Sequence, residues 1–191
     1  MEHNYAVAYK NIRLRPLTKE DIELLRVWRN DKEQTAYLRE IPTITPEMQK
    51  QWFDASQKDQ TEYVFAIDET ERLKRLVGSV AVYDINNSIA EVGKIQIGDP
   101  EAHGMGLGKL GMALSAWFGF EVLHLETILC SVYKDNIPAY KSYMGLGFKI
   151  IGEHLDEAKG IEYDLEINRS RLLKMSPFLK EIKFDKENGK A

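Results

Sequence analysis

Three glycines at alternate positions, Gly104, Gly106 and Gly108, stand directly before a long apolar segment. Because glycine has no Cβ atom, the backbone N–H groups at these positions are not covered by side chains. A helix predicted over about residues 106–123 adds unpaired N–H groups and the positive end of its dipole. This combination favours an anion at the start of the helix, and a pyrophosphate is the natural ligand for such a site.

Hydrophobic patterns predict an α/β chain. Strands are expected at about 12–15, 63–68, 76–84, 89–97, 127–132, 148–153 and 162–167. The second, third and fourth of these form an antiparallel meander, and the near-continuously apolar segment 127–132 is predicted to be central in the sheet. Helices are expected at about 19–30, after Pro46, over 106–123, and after Asn136.

Length and composition favour one folded unit. The chain has 191 residues, 43% of them apolar, which is enough for one core. We divide it into a domain, 1–168, and a basic C-terminal tail, 169–191, with seven Lys or Arg against three Asp or Glu. The tail thus carries +4, which leaves −8 on the domain for a net charge of −4. An acidic domain suits a cationic substrate such as an amine, and an amphipathic piece at 172–184 is a candidate contact in a homodimer.

Several classes of protein are disfavoured. The negative net charge gives no electrostatic basis for binding nucleic acid. Apolar runs stay well short of the roughly 20 residues of a membrane helix, and the first residues lack a signal-peptide pattern, so we expect a cytoplasmic protein without a membrane partner. The single cysteine, Cys130, excludes an internal disulfide and a cysteine-built metal site, and no metal is expected.

Two phosphate-binding motifs fail against the glycine segment. A P-loop requires glycine at position 103, which is histidine, and a hydroxyl residue at 110, which is leucine. The segment 106–111 does match the dinucleotide fingerprint, with Glu126 twenty residues on. However, that fingerprint directly follows the first strand of a βαβ unit, whereas here a loop intervenes and the preceding strands form a meander. Glu126 also falls at the start of the next strand rather than at its end.

A third family matches in order and spacing. The two motifs read Ile97-Gly98-Asp99-Pro100-x-x-His103-Gly104-Met105-Gly106-Leu107-Gly108 and Asn136-x-x-Ala139-x-x-x-Tyr143-x-x-x-Gly147-Phe148. Over about residues 12–167 the chain resembles the GNAT N-acetyltransferases, and in detail their ribosomal-protein and amino-sugar branches. The resemblance implies the GNAT fold, an α/β (α+β) fold with a mixed, mostly antiparallel sheet of six to seven strands flanked by about four helices. Its two central parallel strands splay apart.

The resemblance also implies acetyl-CoA as co-substrate. The residues expected to contact it are Ile95, Gln96, Ile97, His103, Gly104, Met105, Gly106, Leu107, Gly108, Lys109, Asn136, Ala139 and Tyr143. His103 departs from the Arg or Gln that the family usually has. Because backbone amides hold most of the phosphate, this departure predicts weaker side-chain help rather than loss of binding.

The chemistry that the resemblance implies is direct acetyl transfer to a primary amine in a ternary complex. Tyr143 matches the tyrosine that protonates the departing sulfur, and a phenol is protonated at neutral pH. Glu91 is the first candidate for the base that deprotonates the amine, with Asp84 and Glu126 as alternatives. Cys130 lies within an apolar strand, which favours packing over nucleophilic catalysis.

The acceptor is predicted less sharply. Trp28, Arg29, Asn30, Trp52 and Tyr83 are the expected substrate-binding residues, since aromatic faces and an arginine suit a sugar or base and a phosphate. Trp28 and Trp52 are equally compatible with helix-face packing. A nucleotide-linked amino sugar is the first choice of acceptor, with a protein N-terminus or a polyamine as alternatives. An acyl-CoA-binding sensor without catalysis is the alternative of another class.

Overall fold

The computed structural model describes residues 1–38 and 40–186. Over these residues there are five helices, α1 (Ile22–Asn30), α2 (Pro46–Ser56), α3 (Leu107–Glu121), α4 (Ile137–Leu146) and α5 (Arg169–Met175), and nine strands, β1 (Tyr5–Tyr9), β2 (Ile12–Pro16), β3 (Tyr63–Glu69), β4 (Arg75–Asn86), β5 (Ile89–Ile97), β6 (Thr127–Tyr133), β7 (Lys149–Asp156), β8 (Gly160–Asn168) and β9 (Lys183–Lys186). Short 3₁₀ segments lie at Pro100–Ala102 and Pro177–Glu181.

All nine strands belong to one sheet, in the order β7-β8-β6-β5-β4-β3-β2-β1-β9. Its strands pair antiparallel except for β5 and β6. The expected fold class is confirmed, while the sheet is larger than the six to seven strands predicted. The additional strands are β1 and β9, which pair with each other from Tyr5 opposite Lys186 to Ala8 opposite Lys183. Both strands are short. β1 also pairs with β2, whereas β9 is held at the edge of the sheet by β1.

The parallel pair β5/β6 separates along its length. Ile89 lies opposite Thr127 and Glu91 opposite Leu129, and within the described residues the pairing ends there. Beyond this point β6 continues against β8, while β5 continues against β4. A bulge in β5 adds to the divergence, because two residues of β5, including Lys94 with a φ of 52°, face one residue of β4. A wedge therefore opens between β5 and β6, as expected.

The sheet separates two cores. The larger core contains α3, with Leu107, Met112 and Leu114 fully or almost fully buried against apolar residues from most of the strands. The smaller core lies under α1 and α2, where Trp28 and Phe53 pack on the sheet. The near-absence of charge on α3 reflects its position, since ten of its residues are buried.

Local signals set several helix ends as predicted. Thr45 caps α2 by accepting a bond from the Met48 N–H, with Pro46 in the first helical position. Asn136 caps α4 by accepting from the Ala139 N–H at 3.3 Å, and Gly147 ends that helix with a φ of 102°.

The first helix begins later than the predicted residue 19. The Asp21 carboxylate accepts bonds from the N–H and hydroxyl of Thr18, and it also pairs with Arg15 at 2.7 Å. These contacts hold 18–21 in a turn, so the helix proper starts at Ile22.

The described part of the predicted tail packs on the rest of the chain. Leu172 and Leu179 are 0% and 2% exposed and belong to the larger core, and β9 completes one edge of the sheet. Residues 187–191 lie outside the described residues. None of the described helices is long and apolar enough to cross a membrane.

Candidate active site

The glycine segment presents open backbone at the start of α3. Gly104 and Gly106 have φ values of 77° and 75°, which side chains rarely adopt, and a Cβ atom on either would meet no described atom within 4 Å. The Leu110 N–H donates to the Gly106 carbonyl at 3.1 Å, so the N–H groups of Leu107 and Gly108 belong to the first turn, which lacks acceptors within the helix. This backbone leaves room for an anionic group to approach.

His103 fixes the segment to the end of β5. Its Nε2 lies 2.9 Å from the Ile97 carbonyl oxygen, so this nitrogen donates the hydrogen bond. The His103 N–H in turn donates to the Pro100 carbonyl. At this position, where the family usually has Arg or Gln, the histidine side chain therefore anchors the loop.

Lys109 extends from α3 towards α4. Its Nζ lies 3.3 Å from the point where a Cβ on Gly145 would be. A side chain at 145 would displace the ammonium group, so Gly145 leaves space for a cation beside the glycine segment. Lys109 was predicted to contribute its backbone, and the structure adds a positive charge at the same end of α3.

Glu91 lies at the vertex of the wedge. It is the last β5 residue that pairs with β6, and its carboxylate accepts a hydrogen bond from the Tyr83 hydroxyl on β4. The alternative bases Asp84 and Glu126 are exposed near the β4–β5 turn and the start of β6, before the point at which β5 and β6 separate. Of the three candidates, Glu91 is thus the one placed where the strands separate.

Tyr143 and Cys130 belong to the larger core, on the α3 side of the sheet, and lie close enough to interact electrostatically. Burial raises the pKa of the Tyr143 phenol well above its usual value, and the nearby Cys130 thiol adds to the effect. The Tyr143 ring packs 5.9 Å from that of Phe148. Burial also raises the pKa of the Cys130 thiol, with a contribution from Glu91. Both groups are therefore protonated at neutral pH, which suits an acid at 143 and disfavours a thiolate nucleophile at 130.

A cavity of about 480 Å³ opens on the other side of the sheet. It lies between the end of α1, the α1–α2 loop, the end of β6 and the β7–β8 turn. Its charged and aromatic lining comprises Arg29, Lys32, Tyr37, Glu40, Tyr133, Asp135 and Lys159. Burial lowers the pKa of Arg29, whose guanidinium still carries a charge at neutral pH. Among its described lining residues the cavity therefore combines three cations with two carboxylates, and it can hold a small molecule.

Two side chains hold the α1–α2 loop over this cavity. Asn30 donates to the Ile44 carbonyl at 2.9 Å and accepts from the Ile44 N–H at 2.8 Å. Lys159, in the β7–β8 turn, donates to the carbonyls of Ala36, at 2.9 Å, and Leu38. Lys159 was not predicted as a site residue, because more than 120 positions separate it from its partners and no local pattern marks it.

The predicted acceptor residues are dispersed. Arg29 and Asn30 line the cavity, and Trp52 is 38% exposed on α2. Trp28 is only 6% exposed, and its ring fills the space beside Gly98, where a Cβ would come within 2.0 Å. The packing interpretation of Trp28 thus agrees with its position, and an acceptor role does not. The Gln96 side chain donates to the Trp28 carbonyl, so it faces α1 rather than the wedge.

Comparison with known proteins completes the description. Residues 11–149 match the family model described as the acetyltransferase (GNAT) domain. The chain belongs to the GNAT acetyltransferase family. The resemblance read from the two motifs is thereby confirmed, and GNAT enzymes take acetyl-CoA as the acetyl donor.

Similar GNAT proteins carry several names. Spermidine N(1)-acetyltransferase of Escherichia coli (strain K12) is 29% identical over 148 residues, which are 77% of each chain. Acetyltransferase PseH of Campylobacter jejuni is 25% identical over 140 residues, 73% of this chain and 84% of that one. The crystal structure of spermidine N-acetyltransferase from Vibrio cholerae with CoA and spermine superposes with a TM-score of 0.78 at 23% identity. It covers 86% of this chain and 99% of its own, and at that identity it shows the common fold.

The residues present fit a CoA donor. Open amides at the start of α3 and an added cation at Lys109 suit a diphosphate, and the wedge between β5 and β6 suits an extended arm. Among the described residues there is no group of three or more His, Cys, Asp or Glu side chains that could hold a metal ion.

Proposed function

We propose that this GNAT enzyme transfers the acetyl group of acetyl-CoA directly to a primary amine bound on the α1–α2 side of the sheet. The observation that carries the proposal is the separation of β5 and β6 at Glu91, together with the open amides at the start of α3 and the cavity on the α1–α2 side. This arrangement lets donor and acceptor approach the same point from opposite sides. Holding both reactants there converts a bimolecular encounter into an intramolecular one.

Proton transfer in the proposed reaction involves two residues. Primary amines are mostly protonated at neutral pH, so Glu91 accepts a proton from the amine, directly or through water. The amine nitrogen then forms a bond to the thioester carbon, the carbon–sulfur bond breaks, and the nitrogen loses its second proton to solvent. Glu91 also releases to solvent the proton that it accepted. Tyr143 gives its phenolic proton to the departing sulfur and is reprotonated from solvent. The products are the N-acetyl amine and CoA with a free thiol.

The raised pKa of Tyr143 has two consequences for this role. It keeps the phenol protonated, which is the form that an acid requires. It also makes the phenol a weaker acid towards a thiolate, whose parent thiol has a pKa of about 8.5 in water. Burial penalises both anions, however, so the thiolate that forms beside Tyr143 is a stronger base than in water.

The cations around the cavity support an acceptor with an anionic part. Arg29, Lys32 and Lys159 suit a phosphate, while Tyr37, which is 47% exposed, offers a ring face for a sugar or a base. A nucleotide-linked amino sugar has all of these parts together with a primary amine. We therefore propose this class as the acceptor.

A polyamine is the second candidate. It is supported by the names of the similar E. coli and V. cholerae proteins, both spermidine acetyltransferases. Glu40 and Asp135 in the cavity, and the acidic domain as a whole, would attract a polycation. A protein N-terminus is the third class of acceptor.

The test is an assay of thiol release from acetyl-CoA with a panel of amines. The panel contains nucleotide-linked amino sugars, spermidine and spermine, and peptides with free N-termini, and mass spectrometry identifies the acetylated product. We expect the highest kcat/KM for an amino-sugar nucleotide. A clear preference for spermidine would instead identify a polyamine as the acceptor. Tight binding of acetyl-CoA without turnover on any amine would favour a sensor instead.

A further inference from the structure

Tyr83 lies across the strand that carries Glu91. Its ring passes over Gly93 on β5, where a Cβ would come within 3.0 Å of the Tyr83 hydroxyl oxygen. The hydroxyl then donates a hydrogen bond to Oε1 of Glu91. Glycine at 93 therefore leaves the space through which the phenol reaches the carboxylate. A tyrosine at 83 was predicted to bind substrate, but the donated bond is directed at Glu91.

A cation holds the same ring from the other side. The Lys94 ammonium lies 4.2 Å from the centroid of the Tyr83 ring, a distance at which the cation is attracted to the ring face. Lys94 is at the β5 bulge, and its ammonium is also paired with the Glu62 carboxylate, whose side chain is 8% exposed. Glu62 fixes Lys94, Lys94 fixes the Tyr83 ring, and the ring's hydroxyl contacts Glu91.

We infer that Tyr83 is a positioning residue for the base of the acetyl transfer, held in place by Lys94 and Glu62. This inference rests on the proposed function, because it takes Glu91 as the base. The bond from Tyr83 occupies Oε1 and limits rotation of the carboxyl group. Oε2 is then directed to accept the proton of the incoming amine. The bulge at Lys94 has a role in this view, since it turns the ammonium towards the ring.

Other titratable groups near Glu91 lie on β4, β5, β6 and α4. Tyr83 approaches it from β4 and Lys94 from β5, while the Cys130 thiol on β6 is close enough to interact electrostatically. Tyr143 on α4 interacts with Cys130. Burial raises the pKa of the Cys130 thiol and of the Tyr143 phenol and so keeps both uncharged at neutral pH. The Lys94 ammonium, paired with Glu62, is a charged group against the Tyr83 ring.

Three variants test the inference: Tyr83→Phe, Glu91→Gln and, as the control, Tyr9→Phe. Tyr9 is also a buried tyrosine, packed on Phe178 outside the site.

Each variant is assayed for kcat and for the KM of acetyl-CoA between pH 7 and pH 9.5 (about the range in which a primary amine loses its proton), with the best amine of the panel. At pH 7 we expect kcat of Glu91→Gln to fall about 100-fold, as for loss of a general base. For Tyr83→Phe we expect kcat to fall roughly tenfold, which is the effect of losing one hydrogen bond to a charged group. Neither substitution should change the KM of acetyl-CoA.

The pH series separates positioning from structure. As the pH rises, the amine becomes deprotonated in solution and no longer needs a base, so both deficits should shrink together. A Tyr83→Phe variant with the kcat of the control at pH 7, beside an impaired Glu91→Gln, would overturn the inference alone. A Tyr83→Phe deficit that stays constant to pH 9.5 would show a structural effect and overturn it as well. A fully active Glu91→Gln would instead refute Glu91 as the base, and the inference with it.

Discussion

Gly106 shows how the conformation of one residue creates a binding surface. Its φ of 75° directs the chain into α3, and the absence of a side chain leaves the first amides of the helix accessible. Gly160 has a comparable φ of 90° and equally open surroundings, yet it is the first residue of β8. The difference between them is the helix start that follows Gly106, since only there do several N–H groups point the same way.

Replacing Gly106 with valine should weaken acetyl-CoA binding by about tenfold or more, because the branched side chain blocks the phosphate and is strained at positive φ. Isothermal titration calorimetry measures this directly. Gly160→Val is the matched control, as it carries the same backbone strain away from α3, and its affinity for acetyl-CoA should equal that of the wild type. Unchanged affinity of Gly106→Val would remove the phosphate site from this loop.

Tyr143→Phe tests the proposed acid. We expect kcat to fall about 100-fold, within the usual range for loss of general acid catalysis, while affinity for acetyl-CoA is kept. Tyr140→Phe, on the same helix and packed on Tyr163, provides the control and should keep its kcat. Equal turnover of the two variants would clear Tyr143 of this role.

Cys130→Ala tests direct transfer. Burial keeps the thiol protonated, so its removal should leave kcat within a few-fold of wild type, with a loss of stability of about 1 kcal/mol from the small cavity. Mass spectrometry of the wild type after mixing with acetyl-CoA should detect no acetylated enzyme. A collapse of kcat in a folded variant, or a covalent acetyl group on Cys130, would point to an acyl-enzyme route.

The α1–α2 loop depends on contacts from other elements. Its end is clamped by Asn30 from α1, and its middle is held by Lys159 from the β7–β8 turn. That turn is itself fixed to β6, because the Tyr133 hydroxyl donates to Asp156 at 3.0 Å and the other Asp156 oxygen accepts the Ala158 and Lys159 N–H groups. The shape of the acceptor cavity is therefore decided jointly by three separate parts of the chain.

Lys159→Ala should loosen this loop. We expect the KM of the amine to rise by about 5- to 10-fold, consistent with losing two hydrogen bonds of modest net strength, while the KM of acetyl-CoA stays constant. Steady-state kinetics with either substrate varied gives both values. Lys149→Ala, at the exposed far end of β7, is the control for removing a lysine charge. An unchanged amine KM would mean that Lys159 does not shape the acceptor site.

The molecule as a whole is held together by contacts between its ends. β9 pairs with β1, and Leu172 on α5 enters the core beneath α3 and α4. The Arg171 guanidinium also donates to the Gly147 carbonyl, so α5 supports the end of the helix that carries Tyr143. The basic segment after 168 thus stabilises the site through its contact with the end of α4.

Leu172→Ala should lower the free energy of unfolding by about 2–5 kcal/mol, the usual result of truncating a fully buried leucine. Urea denaturation followed by circular dichroism measures the change. Leu155→Ala makes the same substitution at a side chain that is 71% exposed, and it should change stability by less than about 0.5 kcal/mol. Equal effects at both positions would contradict the packing of α5 into the core.

Features that depend on neighbouring residues were predictable. The caps at Thr45 and Asn136, the positive φ of Gly106 and Gly147, and the limits of β5 each follow from atoms a few positions apart. Because these local preferences act over one turn or one strand, a single sequence is enough to read them. The order and spacing of the two motifs indicated the family.

Features that depend on strand order were decided by the tertiary structure. The hydrogen bond from Tyr83 to Glu91, the bonds from Lys159 to the α1–α2 loop, and the pairing of β1 with β9 join residues that no local pattern relates. Trp28 illustrates the same limit. An aromatic residue on a helix is compatible with packing and with binding alike, and the contact of its ring with Gly98 shows packing. Hydrophobic periodicity indicates which face of a helix or strand is buried, but it does not indicate which other element packs against that face. The site is formed by contacts between such elements, so only the tertiary structure decides it.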